Sequence, residues 1–345
     1  MSESDVTRGG VRGARPGREA VTGAQDAGRS RRGRRRRGRG EQPVVPGARF
    51  SSYYGRPIIN KPTWQALDIA GYLFLGGLAG ASSLLAAGGQ ATGRPALARV
   101  AKLGAAGAIS GSLVALVHDL GRPARFLNML RVFKPTSPMS VGSWLLAGYA
   151  PLTMAAAAAD VTGRGRAAGA CATAGAACLG PAVATYTAVL LSDTAVPSWH
   201  EGYRELPFVF AGSASSAAAG LALACAPAGQ TTPARRMAVL GAGLELGAFR
   251  LMKHRMGLVA EPFEQGTPHR LLRAAEVLTA GGAALAAYTG PGRRWGRVSA
   301  VVAGAALLTG SAALRFAVFH AGVDSAEDPR YTVVPQRERL RARGG

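Results

Sequence analysis

Asp68 and Tyr72 stand one helical turn apart in an apolar run, so a helix there presents both on one face. A second tyrosine, Tyr186, lies in a separate apolar run, about a turn and a half from its end. His118 closes a third run and His200 lies in a loop just beyond the run that holds Tyr186. A phenol donates a hydrogen bond, while a carboxylate or imidazole takes up and releases a proton. At the edge of a membrane, beside an apolar lane, such a set suits the oxidation of a quinol or the reduction of a quinone. The head group there needs donors to its carbonyls and a proton-exchanging neighbour. The plain alternative for His118 and His200 is a solvated histidine at the membrane interface.

Four more ionisable groups fall within apolar runs: Glu245, Arg250, Glu276 and Arg315. A charge at membrane depth costs about 2.5–3.5 kcal/mol on insertion scales and marks either a function or an internal pair. Two readings follow. The groups form a proton path, or they only orient helices, with Glu276 pairing with Arg315.

The elements that must position these residues are long apolar helices. The 345-residue chain is 48% hydrophobic but only 17% charged, with 48 glycines. Eight runs approach the ~20 residues of a transmembrane helix. They cover about 64–87, 99–119, 140–160, 168–191, 206–227, 234–254, 270–289 and 298–320. The fold class expected is therefore an all-α, polytopic membrane bundle. Small residues cluster within the runs, as in Gly76-Gly77-Leu78-Ala79-Gly80-Ala81 and Gly104-Ala105-Ala106-Gly107. Such faces let helix backbones approach closely in lipid. Trp64 sits where an interfacial aromatic anchors the first run.

The segment His118–Trp144 is unusual for a link between membrane helices. It carries Asp119, Arg122, Arg125, Arg131 and Lys134 among Pro123, Pro135 and Pro138. Charge and rigidity together point to a docking face. The loop with Pro197, Trp199 and His200 falls on the same side.

The net charge of +22 raises a nucleic-acid reading, but much of it sits in residues 1–49, notably Arg31–Arg39. That stretch lacks apolar periodicity and reads as a disordered basic tail attracted to anionic lipid, with no nucleic-acid partner expected. Residues 50–322 read as the membrane domain and 323–345 as a flexible tail. An even number of spans puts both termini on one side of a cell membrane. The arginine-rich tail places that side in the cytoplasm, although basic short connections around Arg94, Arg164, Arg235 and Arg293 pull the other way. Cys171, Cys178 and Cys225 form no CxxC pair and are too few to hold an iron–sulfur cluster, so they read as buried small hydrophobes. His118, His254, His269 and His320 lie near span ends, and none lies at mid-span. Neither haem nor a metal of the chain's own is expected.

Three ordered motifs resemble the NrfD/polysulfide reductase membrane subunit family. One is His118-Asp119-Leu120-Gly121-Arg122-Pro123 with Arg125-Phe126 and Pro135-Thr136-Ser137-Pro138-Met139-Ser140. Another is Tyr186-Thr187-Ala188-Val189-Leu190-Leu191 with Val196-Pro197-Ser198-Trp199 and Leu206-Pro207-Phe208-Val209-Phe210. The third is Tyr72-Leu73-Phe74-Leu75-Gly76-Gly77-Leu78-Ala79-Gly80. The resemblance covers roughly 53–320.

It implies a quinone-reactive anchor that docks a ferredoxin-like iron–sulfur subunit, itself joined to a molybdopterin oxidoreductase subunit. The quinone, menaquinone or ubiquinone, is a diffusible substrate, and its head group lies against the first and fourth helices. The matching positions are around Tyr72 and Tyr186. Some relatives carry a histidine where Tyr72 stands, which leaves Asp68, one turn earlier, as the candidate proton donor. In this reading Asp119, Arg122, Arg125 and Pro138 shape the interface with the iron–sulfur subunit, together with Pro197, Trp199 and His200.

Two other classes compete: an ion or proton transporter built on the buried charges, and a purely structural anchor. Transporters of this size often show inverted repeats, and no convincing repeat relates 64–191 to 206–320.

Overall fold

The computed structural model describes residues 6–7, 10–11, 58–59, 62, 64–121, 124–288 and 296–344. The expected basic tail lies outside the described residues, apart from a two-residue antiparallel pairing of Val6–Thr7 with Gly10–Val11. Every other regular element among the described residues is helical.

Among the described residues eleven α-helices follow in chain order. They are α1 Ala66–Ala91, α2 Pro95–Asp119, α3 Ala124–Met129, α4 Pro138–Thr162 and α5 Arg166–Ser192. Next come α6 Pro197–His200, α7 Leu206–Cys225, α8 Thr232–Met256, α9 Gly266–Tyr288, α10 Gly296–Glu327 and α11 Arg330–Gly344. Six of them, α1, α2, α4, α5, α7 and α10, are long and apolar enough to cross a membrane. The runs read at 234–254 and 270–289 do form long helices, α8 and α9, but these carry more charge and fall outside that set. Residues 63–322 form one compact unit, and the described C-terminal residues from Val323 on belong to another. Within the C-terminal stretch, α10 runs on to Glu327 and α11 covers Arg330–Gly344, as its good helix formers Gln336, Arg337, Glu338, Arg339 and Leu340 permit.

Prolines start helices rather than merely stiffening loops. Pro95, Pro138 and Pro197 are the first residues of α2, α4 and α6. The missing N–H is harmless there because the first-turn N–H groups have no intrahelical partner. Inside the bundle the expected small-residue faces do bring backbones together. A Cβ on Gly180 would stand 2.5 Å from the Gly80 carbonyl oxygen, so α1 and α5 touch backbone to backbone. The same holds for Gly241 against the Gly212 carbonyl, at 2.8 Å, and for Gly220 against the Gly304 carbonyl, at 2.6 Å. Only glycine fits such crossings.

The three cysteines correct one expectation. Cys171, Cys178 and Cys225 are exposed on the outer faces of α5 and α7, not buried among helices. The sequence places them within apolar helices but does not fix their rotation about the helix axis.

Candidate functional site

The end of the bundle where α1 and α4 begin and α2 and α5 end gathers the residues singled out above. Tyr72 is 4% exposed, and its hydroxyl hydrogen-bonds to the Tyr186 hydroxyl. The two rings meet edge to face with centroids 6.4 Å apart. Tyr186 reaches across because α4 presents Gly142: a Cβ there would stand 2.5 Å from Tyr186 Cε2. Ser112 of α2 donates to the Tyr72 carbonyl over 3.2 Å and ties α2 to α1 at the same level.

One turn before Tyr72, Asp68 Oδ2 lies 2.7 Å from His118 Nδ1. The Asp68 side chain is 12% exposed and that of His118 is 69% exposed. The dyad thus runs from the edge of the buried tyrosines to the surface. All four residues expected around a quinone, Asp68, Tyr72, His118 and Tyr186, lie at one end of this helix group. Asp119 faces the same end, where its Oδ1 accepts a bond from the Gln65 backbone N–H over 3.5 Å.

The expected docking residues divide. Arg125 is exposed and donates to the Leu120 carbonyl over 3.0 Å. Pro138 is half-buried, and His200 is exposed with its Nδ1 3.0 Å from the Ser192 carbonyl. Arg122 lies outside the described residues. Pro197 and Trp199 are buried and present no surface. Trp199 is fully enclosed, donates from Nε1 to the Val318 carbonyl over 2.7 Å, and stacks on Trp64 at 5.9 Å. An indole buried with its N–H satisfied is a structural anchor. Here it pins α6 to α10.

The buried charges also regroup. Glu276 pairs with Arg273 at 3.5 Å on its own helix, not with Arg315. Arg315 is fully buried, sits 3.6 Å over the Phe210 ring and donates to the Phe210 carbonyl over 3.0 Å. Glu245 is also buried and accepts a 3.0 Å bond from Thr279. Ser213 and Ser311 hydrogen-bond at 2.8 Å and link α7 to α10. Arg250 is exposed on α8 and joins neither group. The reason is rotational: helical period sets the depth of each charge, but which neighbour it faces depends on how the helices turn against one another.

Several participants carried no clear signal in the sequence. Tyr149 is fully buried and shares a 2.6 Å hydrogen bond with Ser83 at the core of α1 and α4. Lys102 pairs with Asp160 at 3.2 Å near the opposite end of the bundle. Arg99, one turn before Lys102, also reaches Asp160, at 3.4 Å. Glu205 takes two 2.7 Å bonds from Arg255, joining the start of α7 to the end of α8. These bonds hold the Glu205 carboxyl below the usual carboxylate range. Among the described residues no three His, Cys, Asp or Glu side chains come together as a metal site.

A comparison with known protein families gives a match. The family described as polysulphide reductase, NrfD, covers residues 58–260, more than half of the 345-residue chain. No curated protein sequence matches it closely enough to count as a relative. The match takes in the whole tyrosine–aspartate–histidine group and the first five of the six helices that qualify as spans. The chain is a multi-pass membrane protein belonging to the polysulphide reductase NrfD family.

Proposed function

We propose that this protein is the quinone-reactive membrane subunit of a multi-subunit oxidoreductase. It exchanges electrons between the quinone pool and an iron–sulfur subunit, which is itself joined to a molybdopterin subunit. The observation that carries this reading is the Tyr72–Tyr186 hydroxyl pair, held one helical turn from the Asp68–His118 dyad.

The chemistry follows from what each group can do. Oxidation of a quinol to a quinone releases two electrons and two protons, and reduction takes up the same. A tyrosine hydroxyl that gives up its partner can donate to a quinone carbonyl, so the pair opens to bind the head group. Asp68 then exchanges the proton, and His118, largely in solvent, passes it to or from water. Electrons leave to the partner's cluster across the loop face that carries Asp119 and Arg125. The chain contributes binding, orientation and proton exchange. The terminal substrate belongs to the catalytic partner. Both termini are cytoplasmic in this reading, because the arginine-rich tail resists translocation.

A second reading has its own observation. Glu245 Oε2 and Arg315 Nε and Nη1 are buried without a hydrogen-bond partner among the described residues. Buried polar atoms of this kind usually meet ordered water, and a water-linked Glu245–Arg315 pair is a route for protons or ions. Two experiments separate the readings. Affinity purification from native membranes should bring down a cysteine-rich iron–sulfur protein, and the purified complex should reduce it with a quinol. Proteoliposomes holding this chain alone should show no proton flux. Flux without a partner, and no quinol-dependent reduction, would favour the transport reading.

A further inference from the structure

Far from the tyrosine pair, a groove of about 650 Å³ opens beside the first half of α8. Its rim carries Arg94 from the α1–α2 connection and Arg236 from the first turns of α8. Its floor includes Met237, Leu240 and Leu244, and no acidic residue lines it. Arg236, Leu240 and Leu244 follow one another at one-turn spacing and so share a face of α8. From Arg236 to Leu244 that face runs about 12 Å along the helix axis. Leu240 is 74% exposed and Leu244 42% exposed, so protein does not cover the apolar part.

The rim charge is unpaired, with Arg94 half-buried. Arg236 is exposed and has no hydrogen-bond or ion-pair partner among the described residues. Arg94 donates to the Thr92 carbonyl over 3.3 Å, a neutral acceptor that leaves its charge unbalanced. A groove with two uncompensated guanidiniums at its mouth and leucines leading inward matches an amphiphile with an anionic head and an apolar chain. Guanidinium groups bind phosphate oxygens in paired hydrogen bonds.

We propose that this groove binds one anionic phospholipid, its phosphate between Arg94 and Arg236 and an acyl chain along Leu240 and Leu244. A neutral quinone gains nothing from the two cations, and Thr92 lies about 30 Å along α1 from Tyr72. A zwitterionic phospholipid brings its own ammonium towards the arginines. The site is thus distinct from the quinone site and independent of whether that reading holds.

The test is native mass spectrometry of the full chain released from detergent, with dioleoylphosphatidylglycerol or dioleoylphosphatidylcholine added. Wild type should retain one phosphatidylglycerol, with phosphatidylcholine at least about tenfold weaker. The double change Arg94→Gln with Arg236→Gln should bring phosphatidylglycerol down to the phosphatidylcholine level. Leu240→Ser should weaken it with the arginines intact. Arg164→Gln, an exposed arginine outside the groove, should leave retention unchanged. Unchanged melting temperatures would show that the variants fold. Three results overturn the proposal: equal retention of the two lipids, equal retention by the double variant, or displacement of the lipid by millimolar inorganic phosphate.

Discussion

Asp68 Oδ2 and His118 Nδ1 lie 2.7 Å apart, joining the first turn of α1 to the last turn of α2. Between them exposure rises from 12% to 69%, so the pair forms a step from the buried tyrosines to water. If it is the proton step, His118→Gln should slow quinol turnover by about tenfold or more. Added imidazole should restore part of the rate, because a free base can reach a position this exposed. A purely structural ion pair would not respond to imidazole.

Gly142 tests the tyrosine pair without touching either tyrosine. Its Cβ position lies 2.5 Å from Tyr186 Cε2, so Gly142→Ala must shift that ring and disturb its bond to Tyr72. Turnover should fall with little change in the amount of complex assembled. Gly148→Ala, whose Cβ would meet only Leu179 Cδ1 at 3.8 Å, should leave turnover unchanged.

The α1–α5 crossing should be equally intolerant. Gly180→Ala places a methyl 2.5 Å from the Gly80 carbonyl oxygen and should cost about 1–3 kcal/mol through overpacking. Thermal unfolding of the detergent-solubilised chain reads this as a lowered Tm. Gly71→Ala, with open space around its Cβ, should be close to neutral.

The Glu205–Arg255 pair gives a pH dependence whose sign can be fixed. Arg255 depresses the Glu205 carboxyl below its ordinary value of 4.5, so protonation is harder in the folded chain than in the unfolded one. The pair's contribution is therefore complete above about pH 4.5 and is lost as pH falls through the lower, folded value. Glu205→Gln should lower the Tm at neutral pH, by about 1–2 kcal/mol of stability. The difference from wild type should shrink below pH 4.5. A difference that stays constant with pH contradicts the assignment.

Much of this was legible from residue spacing. The one-turn offset of Asp68 and Tyr72 put them on one face, and run lengths put Tyr186 and His118 at the same end of the bundle. Those are statements about depth, which helical rise sets almost alone. What could not be read is rotation. Glu276 and Arg315 both fall within apolar runs, yet Glu276 turns to Arg273 on its own helix while Arg315 turns to Phe210. The cysteines face outward for the same reason, whereas Trp199 is buried because its loop folds as α6 onto α10. Rotation is decided by where glycines permit close crossing, as at Gly80–Gly180 and Gly212–Gly241. In a chain with 48 glycines, the few that make such crossings do not stand out by composition.

The central claim is that the Tyr72–Tyr186 pair and Asp68 handle a quinone. The most direct measurement is quinol-dependent reduction of the partner by the purified complex, comparing wild type with Tyr186→Phe and Asp68→Asn. Both variants are near-isosteric and should assemble normally. Tyr186→Phe should raise the KM for quinol about tenfold, for one lost hydrogen bond. Asp68→Asn should lower kcat by about a hundredfold or more, for a lost proton acceptor. Wild-type turnover in both variants would contradict the account and move the quinone site away from these residues.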